Sequence, residues 1–285
     1  MARPLRIEFP GALYHVTSRG NEKRPIVIDD DDRRLFLGIL SRAIERSAWL
    51  CHAYCLMNNH YHLLVETPQP TLSAGMHYLN GVYGQKFNLR HDRTGHLFQG
   101  RFKSILIEKE PHLLEVMRYV VLNPVRARIV AQPEHWLWSS YRATAGLTRS
   151  EDFLSTHWVL SKFAGRRTAA RQAYRRYVAE GAGLVSPWDK THADRFLGSK
   201  AFIAKCLGRI DSTEALQRAP EPSHPAIRPS LTELFQDIAD RRDKRGTAAA
   251  IRCAFEIHGY LQRDIAHHLG VHCSTVSRAL GRPGV

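Results

Sequence analysis

The sequence predicts an α+β fold, an antiparallel sheet with helices packed on it, continued by a helical region and an all-helical C-terminal domain. Three observations carry that expectation. Runs with the period of a strand are interleaved with helical-period segments through the first 145 residues. Two of these runs flank Asn58-Asn59, a pair with tight-turn chemistry, and so form a hairpin. Four prolines between Pro220 and Pro229 then precede a tail that carries helical spacing only.

In order, Ala12 to Ser18 is a β-rich run that ends at Arg19-Gly20-Asn21. Asp29 to Ala48 sets Phe36, Ile39, Leu40 and Ile44 at helical spacing among charged residues. Trp49 to Met57 and His60 to Glu66 are the strands of the hairpin. Leu72 to Arg90 reads as a helix and Ile105 to Glu108 as a further short strand. Pro111 to Leu122 reads as a helix that opens on one proline and is stopped by another, Pro124. Leu154 to Glu180 is mostly helical with an arginine-rich centre. These segments group into a first domain over 1–145, a helical accessory region over 146–219, a linker over 220–230 and a C-terminal domain over 231–285.

The 285 residues suffice for a sizeable core and for two domains. A formal charge of +14 calls for a polyanionic partner. Nucleic acid fits better than a membrane, since no long basic helix has an aromatic face. No run of about 18 apolar residues is present to span a bilayer, and the first ten residues lack the apolar core of a signal peptide. The five cysteines are scattered and odd in number, which reads as reduced thiols of a cytoplasmic protein. Cys51 and Cys55 lie just before two histidines, but this short run lacks the separation between ligand pairs that structural zinc sites use.

The chemistry concentrates in two places. In the strand His60 to Glu66, His60 and His62 point to one face while Tyr61 and Leu63 point to the other. Two imidazoles side by side can grip a divalent metal, which commonly serves phosphoryl chemistry. In the helix that follows, Tyr119 and Asn123 are four residues apart and share a face, although Pro124 biases Asn123 away from helical geometry. A tyrosine one turn from an amide oxygen offers a nucleophile beside a third ligand. Between these places, Lys86 to Lys103 contains five Lys or Arg, one Asp and three phenylalanines. Cations that follow a backbone and rings that stack on bases suit a single-strand groove; Lys86, Arg93, Arg101 and Lys103 are the expected DNA contacts.

Four blocks in order (Phe9 to Asn21, His60-Tyr61-His62, Gly95 to Phe102, and Tyr119 to Ala127) resemble the REP-associated tyrosine transposases, members of the HUH single-strand transposase superfamily. The resemblance covers about residues 8 to 145. It implies an HUH nuclease domain with a ferredoxin-like or RRM-like sheet. It also implies that His60 and His62, completed by Asn123, hold Mg²⁺ or Mn²⁺ on the scissile phosphate. Tyr119 would attack phosphorus, leaving a 5′-phosphotyrosine and a free 3′-OH ready for rejoining. The implied substrate is single-stranded DNA at a hairpin-forming repeat, and the implied assembly a homodimer. At the position of Asn123 relatives often carry Gln.

The tail from Gln262 to Leu280 fits a helix-turn-helix. Ala266 allows close packing, Gly270 makes the turn, and Ile265, Leu269, Val271, Val276 and Ala279 fill a small core. Its second helix would present Ser274, Thr275, Ser277 and Arg278 to duplex DNA. Leu231 to Leu280 is also similar to the DNA-binding domain of the replication initiator DnaA. His258, His267 and His268 read as surface residues. The competing reading is a DNA-binding regulator descended from a transposase, with little or no cleavage; the presence of His60, His62 and Tyr119 together favours an enzyme. A zinc hydrolase of small substrates leaves the charge and the tail unexplained.

Overall fold

The computed structural model describes residues 6–181, 183–191, 195–216, 230–236, 244–257, 260 and 262–280. The chain divides into two units, one of residues 1–75 and 95–219, the other of residues 76–94 and 220–285.

In the first unit five strands form one sheet: β1 (Ala12–Arg19), β2 (Leu50–Leu56), β3 (His60–Thr67), β4 (Lys103–Ile107) and β5 (Phe196–Leu197), in the order β2-β3-β1-β4-β5. The first four pair antiparallel, as expected, and β5 adds in parallel to β4. The two residues of β5 are too few to show a period, so this strand leaves no sign in the sequence.

Between β1 and β2 runs α1 (Asp30–Ser47), whose start is fixed by Asp29 accepting from the Asp32 amide. Its apolar stripe includes Phe36, whose ring lies 4.9 Å from that of Tyr61 on one sheet face. The helix α2 (Leu72–Arg90) follows β3 with the bounds its spacing predicts. After β4 comes α3 (Lys109–Arg126), which packs on the opposite sheet face. There Leu13, Ala53, Cys55, Leu64 and Ile107 of the sheet join Leu113, Val116, Met117, Val120 and Val121 of the helix in one buried cluster.

Three short or medium helices close over that cluster: α4 (Tyr141–Thr144), α5 (His157–Ser161) and α6 (Arg167–Ala179). The stretch from Leu154 to Glu180, expected to be mostly helical, holds two helices with a break at Lys162 to Arg166, where Gly165 has the poorest helix propensity in the stretch. A further helix, α7 (Lys200–Leu216), ends the unit. The expected linker over 220–230 lies outside the described residues except for Ser230.

Pro124 does not stop α3, which runs on to Arg126 with Pro124 buried inside it. A proline removes the amide that would bond the carbonyl four residues back, here that of Val120. The side-chain amide of Asn123 takes over. Its Nδ2 donates to the Val120 carbonyl at 3.3 Å and to the Tyr119 carbonyl at 2.9 Å. A local side-chain donor thus carries the helix past the proline.

In the second unit α8 (Leu231–Phe235), α9 (Lys244–Arg252), α10 (Gln262–Leu269) and α11 (Cys273–Leu280) enclose a small core of Ile251, Ala254, Phe255, Tyr260, Ile265, Ala266 and Val276. The turn between α10 and α11 is a Schellman closure. Gly270, at φ +66°, donates to His267 O and Val271 to Ala266 O. Val271, expected in the core, is exposed instead, because the left-handed glycine turns the chain outward before α11 begins.

Candidate active site

The register of the sheet assembles the site. Thr17 on β1 faces His62 on β3, and Arg19 faces His60. On its other side Thr17 faces Lys103 of β4. His15, Thr17, Arg19, His60, His62 and Lys103 therefore share the sheet face that α3 covers. The hairpin turn holds the histidine end in place. Met57 donates to His60 O, the Asn58 carbonyl accepts from the amides of Ile26 and Val27, and Asn58 Oδ1 accepts from Arg33.

Histidine, tyrosine and tryptophan rings crowd this corner. His62 Nδ1 lies 2.9 Å from His15 Nε2, and the two rings stack with centroids 5.1 Å apart. The His60 ring meets that of His62 edge-on at 4.9 Å. Tyr119, reaching in from α3, sets its ring edge-on to His62 at 6.1 Å and to His15 at 6.3 Å. Trp188, in a single turn over Pro187–Lys190, stacks on His15 at 4.4 Å and meets Tyr119 edge-on at 5.2 Å. The Arg126 guanidinium stands 5.3 Å from the centre of the Tyr119 ring.

Burial keeps these histidines neutral. It pushes the His15 pKa down to about 3. Burial, helped by the Arg19 cation, takes His60 to about 4. His62 falls well below its ordinary value, first through burial and then through its neighbours His15, His60 and Arg19. A neutral imidazole keeps a lone pair, the form that binds metal. His62 Nε2 is buried with no hydrogen-bond partner, and so is His15 Nδ1. Among the described residues no group of three or more His, Cys, Asp or Glu side chains converges as a metal cage.

The structure brings His60, His62 and Tyr119 together. Asn123 is buried one turn beyond Tyr119, its Nδ2 committed to the helix backbone. Cys51 and Cys55 are buried thiols; burial raises Cys51 to about 12 and Cys55 higher still.

The expected DNA contacts fall into both units. Lys103 and Arg101 are exposed in the first, Arg101 beside Arg6 in a shallow pocket with Gln99, Gly100 and Phe102. The loop that carries Arg101 is stitched to the histidine end of β1, since Asn21 donates to Leu97 O and Gln99 to Arg19 O. In the second unit Lys86 Nζ lies 5.5 Å from the Phe255 ring centre and the Arg93 guanidinium 5.5 Å from that of Phe87. The three phenylalanines expected to stack on bases are buried instead: Phe87 at 0%, Phe98 and Phe102 at 8% exposure. Apolar burial outweighs base stacking as the use of these rings. On α11, Ser274, Thr275, Ser277 and Arg278 are all exposed. His267 is exposed, His268 is half-buried against the Phe235 ring, and His258 lies outside the described residues.

His15, Trp188 and Arg126 were not among the expected site residues. His15 was within reach, since β1 alternates His15, Thr17 and Arg19 on one face opposite the histidine pair. Trp188 had no signal, being the middle of an irregular segment 69 residues beyond Tyr119.

Residues 9–123 match the protein family described as "Transposase IS200 like". No curated protein matches the chain. Among solved structures, the chain is similar to one described as "Structure of the REP associates tyrosine transposase bound to a REP hairpin". The two share 16% identity with a TM-score of 0.45, over 59% of this chain and 94% of that one. The stretch that matches the IS200-like transposase family holds His15, His60, His62, Tyr119 and Asn123.

Proposed function

We propose that the chain nicks and rejoins single-stranded DNA through a covalent bond to Tyr119, acting beside hairpin-forming repeats. The observation that carries this reading is the meeting of Tyr119 with His62, whose ring in turn meets that of His60, within residues that match a transposase family.

The donor set suits a divalent ion. Two neutral imidazoles, one with an orphaned buried Nε2, would hold Mg²⁺ or Mn²⁺, with the Asn123 Oδ1 as third ligand. Such an ion supplies electrostatic stabilisation to the scissile phosphate and the departing oxygen. The chain's own residues do the rest. Tyr119 gives up its phenolic proton and its oxygen bonds to phosphorus. The bond from phosphorus to the 3′ oxygen breaks, and that oxygen takes up a proton as the free 3′-OH. Arg126 over the ring favours the negative charge that develops on the tyrosine oxygen. Rejoining runs the same step backwards with another 3′-OH. Trp188 and α3 shield one side of Tyr119 from water.

Arg101 and Lys103 of the first unit follow the phosphates of the strand toward the histidines, and Lys86 and Arg93 are DNA contacts of the second unit taken by itself. The exposed residues Ser274, Thr275, Ser277 and Arg278 on α11 read duplex or repeat sequence in helix-turn-helix fashion. Among the described residues no helix is long and apolar enough to cross a membrane.

End-group analysis tests the reaction. A cleaved hairpin strand that carries a free 3′-OH on one fragment and protein on the 5′ end of the other supports the tyrosine mechanism. A 5′-phosphate with no attached protein makes water the nucleophile and overturns it.

A further inference from the structure

We propose that Asn59 and His15 are positioning residues that hold His60 and His62 in the Nδ1–H tautomer, so that both present an unprotonated Nε2 to the divalent ion. The inference rests on the metal reading above and assigns a role to two residues outside the ligand set.

For His60 the direction of every bond is fixed by a backbone carbonyl. Asn59 lies 3.0 Å from Lys23 O, and a carbonyl can face only the amide nitrogen, so Asn59 Nδ2 donates there. Asn59 Oδ1 is thereby turned to His60 Nδ1 at 2.7 Å, and it can only accept. His60 must donate from Nδ1. A neutral imidazole has one N–H, so the lone pair sits on Nε2.

For His62 the partner is another imidazole. Its Nδ1 faces His15 Nε2 at 2.9 Å, and one of the two must donate. The atoms left over are His62 Nε2 and His15 Nδ1, both buried and both without a partner. If His15 donated, His62 would carry its proton on Nε2 and could not bind metal. If His62 donates, its Nε2 lone pair is free, and His15 keeps its proton on Nδ1. Metal-bound histidines generally donate their other N–H to an oriented acceptor, and here that acceptor is His15 Nε2. The stack of Trp188 on His15 fixes the orientation of the acceptor ring.

The test is titration of the full chain with Mn²⁺ by calorimetry, for wild type, His62→Ala, His15→Leu, His15→Gln and Asn59→Ala. Gln can place an acceptor oxygen near the position of His15 Nε2, whereas Leu fills the space without one. The expected result is that His62→Ala abolishes binding, His15→Leu and Asn59→Ala each weaken it by about 10–100-fold, and His15→Gln stays within a few-fold of wild type. Loss on His62→Ala with wild-type affinity in His15→Leu and Asn59→Ala overturns the positioning role and leaves the metal reading standing. A wild type that binds no Mn²⁺, or binds it equally after His62→Ala, overturns both. Should His15→Leu fail to fold, long-range ¹⁵N–¹H correlation spectra of wild type in Mg²⁺ decide the matter. Protons on Nδ1 of His60 and His62 support the proposal, and a proton on Nε2 of either overturns it.

Discussion

The passage of α3 through Pro124 depends on one side chain, and a double-mutant cycle can isolate it. Asn123→Ala removes the side-chain donor to the Val120 carbonyl, in a helix turn where Val120 is fully buried. An orphaned buried acceptor costs about 1–3 kcal/mol. The second bond, to the Tyr119 carbonyl, matters less, because that oxygen already receives the backbone amide of residue 123 in the regular helical pattern. Pro124→Ala restores an N–H at position 124 that bonds to Val120. In that background Asn123→Ala should therefore lose only about 1 kcal/mol or less, the net worth of an ordinary hydrogen bond. The coupling between the two positions is then about 1–2 kcal/mol, well outside the ~0.3–0.5 kcal/mol scatter of additive mutants. Urea unfolding of the four proteins measures it. The transition of the first unit must be followed separately, since a chain of two units need not unfold in one step. Additive losses would refute the reasoning and return α3 to an ordinary tolerated kink.

Acid should destabilise the metal-free protein through its neutral histidines. His15 and His60 have folded-state pKa values of about 3 and 4, below the unfolded value, and His62 shifts the same way. The unfolded chain therefore binds protons that the folded chain refuses, so stability is full above about pH 6.5 and falls as pH drops toward 4. Each histidine contributes a slope of up to about 1.4 kcal/mol per pH unit, and stability measured in EDTA from pH 8 to pH 4.5 should show it; a flat profile would contradict the buried, uncharged site. Trp188→Ala removes the ring that stacks on His15 and meets Tyr119, and should lower stability by about 0.5–1.5 kcal/mol beyond the lost burial. It should also reduce cleavage, and an unchanged rate would make Trp188 a bystander. Arg101→Ala and Lys103→Ala should each weaken single-strand binding and flatten its dependence on log salt by about 0.7 for each phosphate no longer neutralised. Salt slopes equal to wild type would place the strand elsewhere.

The sheet and the histidine pair were legible because both are written in short-range pattern. Period-two alternation on either side of Asn58-Asn59 located β2 and β3 and put His60 and His62 on one face, and α2 began and ended where its spacing predicts. What was not legible depends on contacts distant in sequence or on local rescue. The end of α3 lies beyond the expected stop because the rule for proline does not count a side-chain donor one residue earlier. The pairing of β5 with β4 and the approach of Trp188 to the site both come from tertiary packing of a region with no strand period. The phenylalanines between Lys86 and Lys103 look alike in sequence whether they stack on bases or fill a core, and only burial separates the two. Tyr119 illustrates the reverse case, since helical spacing placed it beside Asn123 but only the packing of α3 on the sheet put it against His15 and His62.

The central claim is that Tyr119 becomes covalently attached to DNA, and one comparison tests it most directly. Wild type and Tyr119→Phe are incubated with labelled single-stranded hairpin DNA and Mg²⁺ or Mn²⁺, and a denaturation-resistant protein–DNA adduct is scored beside strand cleavage. The account predicts an adduct in wild type that Tyr119→Phe abolishes while DNA binding persists, because the phenyl ring keeps its packing against His62 and Trp188 and loses only the nucleophilic oxygen. An adduct that survives in Tyr119→Phe, or hairpin binding by both proteins with no cleavage in either metal, would contradict it.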